Sequence, residues 1–128
     1  MKNSARILVI DDDDGVRKLL RRILEQEGYA VEEAPNGEVG VKAFQESPSD
    51  LVITDIIMPD KEGISTIMEL RQASKEVKII AISGGGRISS SDHLKTAEDL
   101  GVHRTFKKPF DRKELLAAIA EALEADQG

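Results

Sequence analysis

The chain has 128 residues, a formal net charge of −6 and no cysteine. That fits one domain large enough to bury a core, and it excludes disulfides and thiolate metal sites. Net negative charge, one Tyr, three Phe and no Trp argue against nucleic-acid binding, which needs clustered positive charge and stacking surfaces. The apolar run Ile7–Ile10 is too short for a signal peptide or a membrane span, so no membrane partner and a cytoplasmic location are expected.

Ile7-Leu8-Val9-Ile10 reads as a buried first strand that ends in acid, Asp11-Asp12-Asp13-Asp14. A helical period follows at once, with Val16, Leu19, Leu20, Ile23 and Leu24 on one stripe. Asp13 or Asp14 suits its N-cap, and Gly28 stands where a left-handed C-cap belongs. Arg17, Lys18, Arg21 and Arg22 fall on the polar side; a solvated face is the simplest reading, and a docking surface for an acidic partner the sharper one. Tyr29–Ala34 alternates like a short strand, and Pro35-Asn36-Gly37 is a turn able to cap the next helix. Val39, Ala43 and Phe44 give that second helix a thin apolar stripe, weakened by Gly40.

Leu51-Val52-Ile53-Thr54-Asp55-Ile56-Ile57-Met58-Pro59 is the stretch around which the rest is organised. Its continuous apolar, β-branched start is the signature of a strand covered on both faces. The strand stops near Asp55, because Met58-Pro59 cannot continue a central strand. A third helix carries Ile64, Ile67 and Met68 inward. Val77–Ile82 is the fourth strand, followed by Ser83 and the flexible Gly84-Gly85-Gly86. No Gly-Lys-Ser/Thr follows those glycines, so they are not a nucleotide phosphate cradle. Ser90 and Ser91 can cap a weak fourth helix with Leu94, Ala97 and Leu100. Thr105–Lys107 is a short fifth strand before Lys108-Pro109-Phe110. Asp111 and Glu114 resemble a capping box for a final helix bearing Leu115, Leu116, Ile119 and Leu123.

Strands and helices alternate with short connections, which predicts a doubly wound α/β fold with a parallel sheet and helices on both faces. Such sheets gather ligands at the carboxyl ends of their strands. Here those ends carry Asp11 and Asp12, Asp55, Ser83 and Lys108. Clustered carboxylates need a cation between them, and oxygen-only ligands suit Mg²⁺. A hydroxyl and an ammonium nearby supply what a phosphoryl group needs on its other oxygens. Taken together, the set points to metal-assisted phosphoryl transfer onto a carboxylate. His93 and His103 sit apart and read as bland.

Ile-Leu-Val-Ile-Asp11-Asp12-Asp13, Asp55-Ile-Ile-Met58-Pro59 with Gly63, Ile-Ser83-Gly84 and Lys108-Pro109-Phe110 resemble, in order and spacing, the receiver domain of two-component response regulators. The resemblance covers nearly the whole chain. It implies a flavodoxin-like five-stranded parallel sheet of order 2-1-3-4-5. It also implies Asp55 as phosphoacceptor, with Asp11, Asp12, Asp55 and the backbone carbonyl of Ile57 holding Mg²⁺. Ser83 would be the switch hydroxyl, Lys108 the ion pair to the phosphoryl group, and the Lys108–Pro109 bond cis. The phosphodonor would be a histidine kinase or a histidine phosphotransfer protein, docked at the basic face of the first helix. The output would be a change on the face made by the fourth helix, fifth strand and final helix. Such a chain is regulatory rather than an enzyme with turnover. The family usually places an aromatic residue three positions before the lysine; Thr105 stands there, with Phe106 facing the opposite side. A switch carried by the glycine loop and fourth helix is therefore expected.

Two other readings compete. Asp11-x-Asp13 has the spacing of a haloacid-dehalogenase-type phosphatase, but no acidic pair follows Lys108 at a strand end and no room remains for a cap domain. A receiver-like interaction module that is never phosphorylated would be expected to lack one of the acids or the lysine, and all are present. No output domain follows the final helix, so one receiver domain over residues 1–128 is expected, either stand-alone or part of a larger regulator.

Overall fold

The computed structural model describes residues 5–56, 63–83, 99 and 101–124. Five parallel strands form one sheet in the order β2-β1-β3-β4-β5: β1 (Arg6–Ile10), β2 (Ala30–Ala34), β3 (Leu51–Asp55), β4 (Lys78–Ser83) and β5 (Arg104–Lys107). The helices are α1 (Asp14–Gln26), α2 (Gly37–Glu46), α3 (Gly63–Ala73) and the C-terminal helix α4 (Arg112–Glu124). Strand order and parallel pairing agree with the resemblance. Ile57, the triple glycine and, apart from Asp99, the segment expected to form the fourth helix lie outside the described residues.

Strand pleating divides the core in two. Ile7, Val9, Leu51, Ile53, Ile80, Ile82 and Phe106 face α1 and α4, meeting Leu20, Leu24, Leu115 and Ile119. Leu8, Ile10, Val52, Ile79 and Ala81 face α2 and α3, meeting Val41, Phe44, Ile67 and Leu70. Both faces of β1 and β3 are thus covered, which is why those strands read as unbroken apolar runs. Thr105 pairs with Ala81 and Phe106 with Ile82, so their opposite facing is as expected, and Phe106 is spent in the α1–α4 core.

Each helix rotates the expected stripe. In α1 the buried residues are Arg17, Leu20, Ile23 and Leu24, and Leu19 is half-exposed. Successive residues lie about 100° apart, so Leu19 falls well off the face centred between Leu20 and Leu24. In α2 the spacing Gly37, Gly40, Val41, Phe44 faces inward, leaving Val39 exposed. In α3 it is Ile67 and Leu70 that are buried, whereas Met68 is turned out. In α4 Ala118 and Ala122 join Leu115 and Ile119 in the core, with Leu116 and Leu123 at its margin.

The caps place the strand ends. Asp13 is the N-cap of α1, its carboxylate accepting from the N–H groups of Gly15 and Val16. Gly28 takes a left-handed φ of 94°, and the Tyr29 N–H reaches the Leu24 carbonyl at 3.2 Å, closing α1 in a Schellman turn. Asn36 caps α2 through the N–H of Val39, and Asp111 accepts from Glu114 at 3.0 Å as the capping-box reading expects. The Lys108–Pro109 bond is cis.

Candidate functional site

Sheet register brings the acids together. Ile10 pairs with Thr54, so Asp11 and Asp55 leave neighbouring strands at the same level. Their exposures are 1% and 3% respectively, while Asp12 points out to solvent. Oxygens of Asp11, Asp12 and Asp55 lie within 4.8 Å of one another. An all-oxygen set of this kind fits a hard divalent cation such as Mg²⁺. Asp13 is committed to the helix cap, which leaves the Asp11-x-Asp13 spacing without a second free acid for the phosphatase reading.

Lys108 enters from the end of β5. Its Nζ donates to Asp11 Oδ2 at 2.8 Å and to Asp55 Oδ2 at 3.1 Å, with the side chain 18% exposed. The Lys108 N–H is held by the Ser83 carbonyl at 2.9 Å, which extends the β4–β5 ladder and fixes where the lysine starts. Burial pulls the ammonium's pKa down. The hydrogen bond to Asp11 and the charges of Asp55 and Asp11 outweigh that effect, so the pKa is raised. The other oxygen of Asp11 accepts the Asp13 N–H at 2.9 Å.

Ser83 ends β4, one residue beyond Ile82, the partner of Asp55. It is fully buried, and its hydroxyl has no hydrogen-bond partner among the described residues. Leaving a buried hydroxyl unpaired costs about 1–3 kcal/mol. Such a cost is the kind retained where a ligand supplies the missing partner.

The basic face of α1 is not what its sequence suggests. Arg17 is buried: its Nε donates to Glu33 Oε1 at 3.1 Å, its Nη1 to the Asp11 carbonyl at 2.7 Å, and its Nη2 to Asp14. Arg21 donates to Glu33 Oε2 at 2.8 Å and to Glu25 at 3.0 Å. Only Lys18 and Arg22 of the four stay exposed. A pattern-based reading misses Arg17 because a cation looks polar wherever it stands. The available signal is its spacing: three and seven residues before Leu20 and Leu24, it shares their face.

The hydrogen bond from Arg21, resisted by burial and aided by Arg17, holds the Glu33 carboxyl below its ordinary pKa. A depressed carboxyl stabilises the fold above its unfolded pKa of about 4.3 and loses that contribution as pH falls through the folded value. Glu33→Gln is therefore expected to lower stability by about 1–3 kcal/mol at pH 7. The gap to wild type should close as pH drops below the unfolded value. Urea unfolding at neutral and acid pH measures this; a gap that persists unchanged in acid would contradict the charge-based account.

Residues 7–120 match the family model described as the response regulator receiver domain. The chemotaxis protein CheY of Halobacterium salinarum is 33% identical over 120 residues, covering 94% of this chain and 98% of that protein. The transcriptional regulatory protein RprY of Bacteroides fragilis is 34% identical over 128 residues, all of this chain but 53% of RprY. The chain thus spans about half the length of the one relative and nearly all of the other. Among solved structures, a response regulator receiver domain protein from Clostridium thermocellum superposes with a TM-score of 0.88 at 29% identity, covering 96% of this chain and 97% of that one.

Proposed function

The chain belongs to the response regulator receiver family, and from that premise we propose that it carries a two-component signal by accepting a phosphoryl group on Asp55. A phosphohistidine of a sensor kinase or phosphotransfer protein is the donor, and the whole 128-residue chain acts as one receiver domain in the cytoplasm. What carries this reading is the single ammonium of Lys108 bridging Asp11 and Asp55 at the carboxyl edge of the sheet.

Asp11, Asp12 and Asp55, with the backbone carbonyl of Ile57, would hold Mg²⁺, which neutralises charge on the phosphoryl oxygens when bound. An Asp55 carboxylate oxygen attacks phosphorus in line with the P–N bond of the donor. That bond breaks as the new O–P bond forms, and the histidine ring leaves with a proton taken from solvent. Lys108 then exchanges a carboxylate oxygen for a phosphoryl oxygen as its partner. Ser83 gains an acceptor that its buried hydroxyl lacks among the described residues, and drawing it toward the phosphoryl group moves the end of β4. Only contacts that differ between the two states can shift such an equilibrium. Because Phe106 is locked in the α1–α4 core and Thr105 carries no ring, the movement is carried by Ser83 at the end of β4 rather than through an aromatic rotamer.

Phosphoramidate, a small donor with the same P–N bond, tests the reading. With Mg²⁺ it should give a base-labile phosphate adduct, and with EDTA none. An adduct that forms equally well in EDTA, or that survives alkali, would exclude a metal-assisted acyl phosphate.

A further inference from the structure

Arg17 touches the acidic pocket from behind. The β1–β2 ladder closes with the Asp11 N–H on the Ala34 carbonyl at 3.2 Å. The carbonyl of Asp11 is met instead by Arg17 Nη1 at 2.7 Å, in a buried contact. That carbonyl belongs to the peptide bond joining Asp11 to Asp12, so its orientation sets the plane from which both side chains leave. The rest of the guanidinium is anchored on Glu33 of β2 and Asp14 of the first turn of α1. One planar group thus ties a strand, a helix and the loop between them.

We propose that Arg17 is the positioning residue of the pocket: by fixing the Asp11–Asp12 peptide it holds the two carboxylates in the arrangement a divalent cation needs. The inference rests on the reading of that pocket as a Mg²⁺ site. Two physical points bear on it. By Coulomb's law a guanidinium this close to the acids opposes cation binding, so any benefit to the metal must come from geometry. A planar fork can also serve three acceptors in fixed directions at once, which a lysine ammonium on a flexible stem cannot.

Arg17→Lys keeps the charge and removes the fork. Groups that orient metal ligands from outside the coordination sphere typically change affinity by about 10–100-fold when lost. Mg²⁺ titration of the full chain, followed by the amide shifts of Asp11 and Asp12, should therefore show at least about a tenfold weaker Kd. Arg21→Ala, which also breaks a Glu33 pair but leaves the Asp11 carbonyl untouched, should stay near wild type. If Arg17→Lys does not fold, the double substitution Arg17→Met with Glu33→Gln carries the same test, because it conserves net charge and strands no buried carboxylate, Asp14 being exposed to water. A folded Arg17→Lys, or the double variant, binding like wild type would overturn the inference alone. So would an equal loss in Arg21→Ala. A wild type without Mg²⁺-dependent shifts at Asp11 and Asp12 would overturn the metal reading and this inference together.

Discussion

Lys108→Ala is expected to destabilise the metal-free protein by about 3–5 kcal/mol at neutral pH, the usual cost of removing one partner from a buried ion pair. The ammonium serves both Asp11 and Asp55, and those carboxylates are almost wholly out of water. The pH window follows from the raised pKa of Lys108. A cation whose folded pKa is raised stabilises fully below its unfolded value of about 10.4 and loses that contribution only as pH climbs through the folded one. At neutral pH the whole contribution is therefore at stake. Mg²⁺ should return much of it, because a ligand at a hundredfold excess over its Kd adds about 2.7 kcal/mol. With no ammonium competing for Asp11 Oδ2, that Kd should also tighten. Urea unfolding in EDTA and in excess Mg²⁺ reads both effects. A variant as stable as wild type in EDTA would mean that Lys108 neutralises little.

Gly40→Ala should cost up to about 2 kcal/mol net, against what helix propensity alone suggests. Alanine in a helix interior gains about 1 kcal/mol over glycine. A Cβ at position 40, however, would stand 2.4 Å from Ile10 Cδ1 and 2.7 Å from its Cγ1. Ile10 is fully buried between β1 and α2, and its branched side chain has few rotamers to retreat to. Overpacking of this kind costs about 1–3 kcal/mol, so the steric effect wins. Ile10 also precedes Asp11, and any shift of β1 reaches the pocket. A midpoint of urea unfolding above that of wild type would show that Ile10 yields freely.

Gly40 illustrates what a sequence conceals. Read alone, it weakens a helix; in the fold it is the point where α2 closes on β1. The strands were legible because β1, β3 and β4 are buried on both faces and therefore spelled in apolar residues. Their order came with the receiver resemblance, since spacing alone does not order a parallel sheet. The helix faces were read less well at Leu19, Val39 and Met68, each apolar yet substantially exposed. Apolar identity does not compel burial, and roughly half of a folded surface is apolar anyway. The site was legible as a set of strand ends, because parallel strands must put their carboxyl ends on one edge. Arg17 was not, because its role depends on contacts with Asp11, Asp14 and Glu33 across two elements. Charge pattern along α1 carries no trace of them.

Asp55 is the proposed acceptor. Wild type and Asp55→Asn, each incubated with acetyl phosphate and Mg²⁺ and weighed intact, test it most directly. A single phosphate adduct is expected on wild type, absent from Asp55→Asn while that variant remains folded. An adduct of equal yield on Asp55→Asn would contradict it and move the chemistry to another residue.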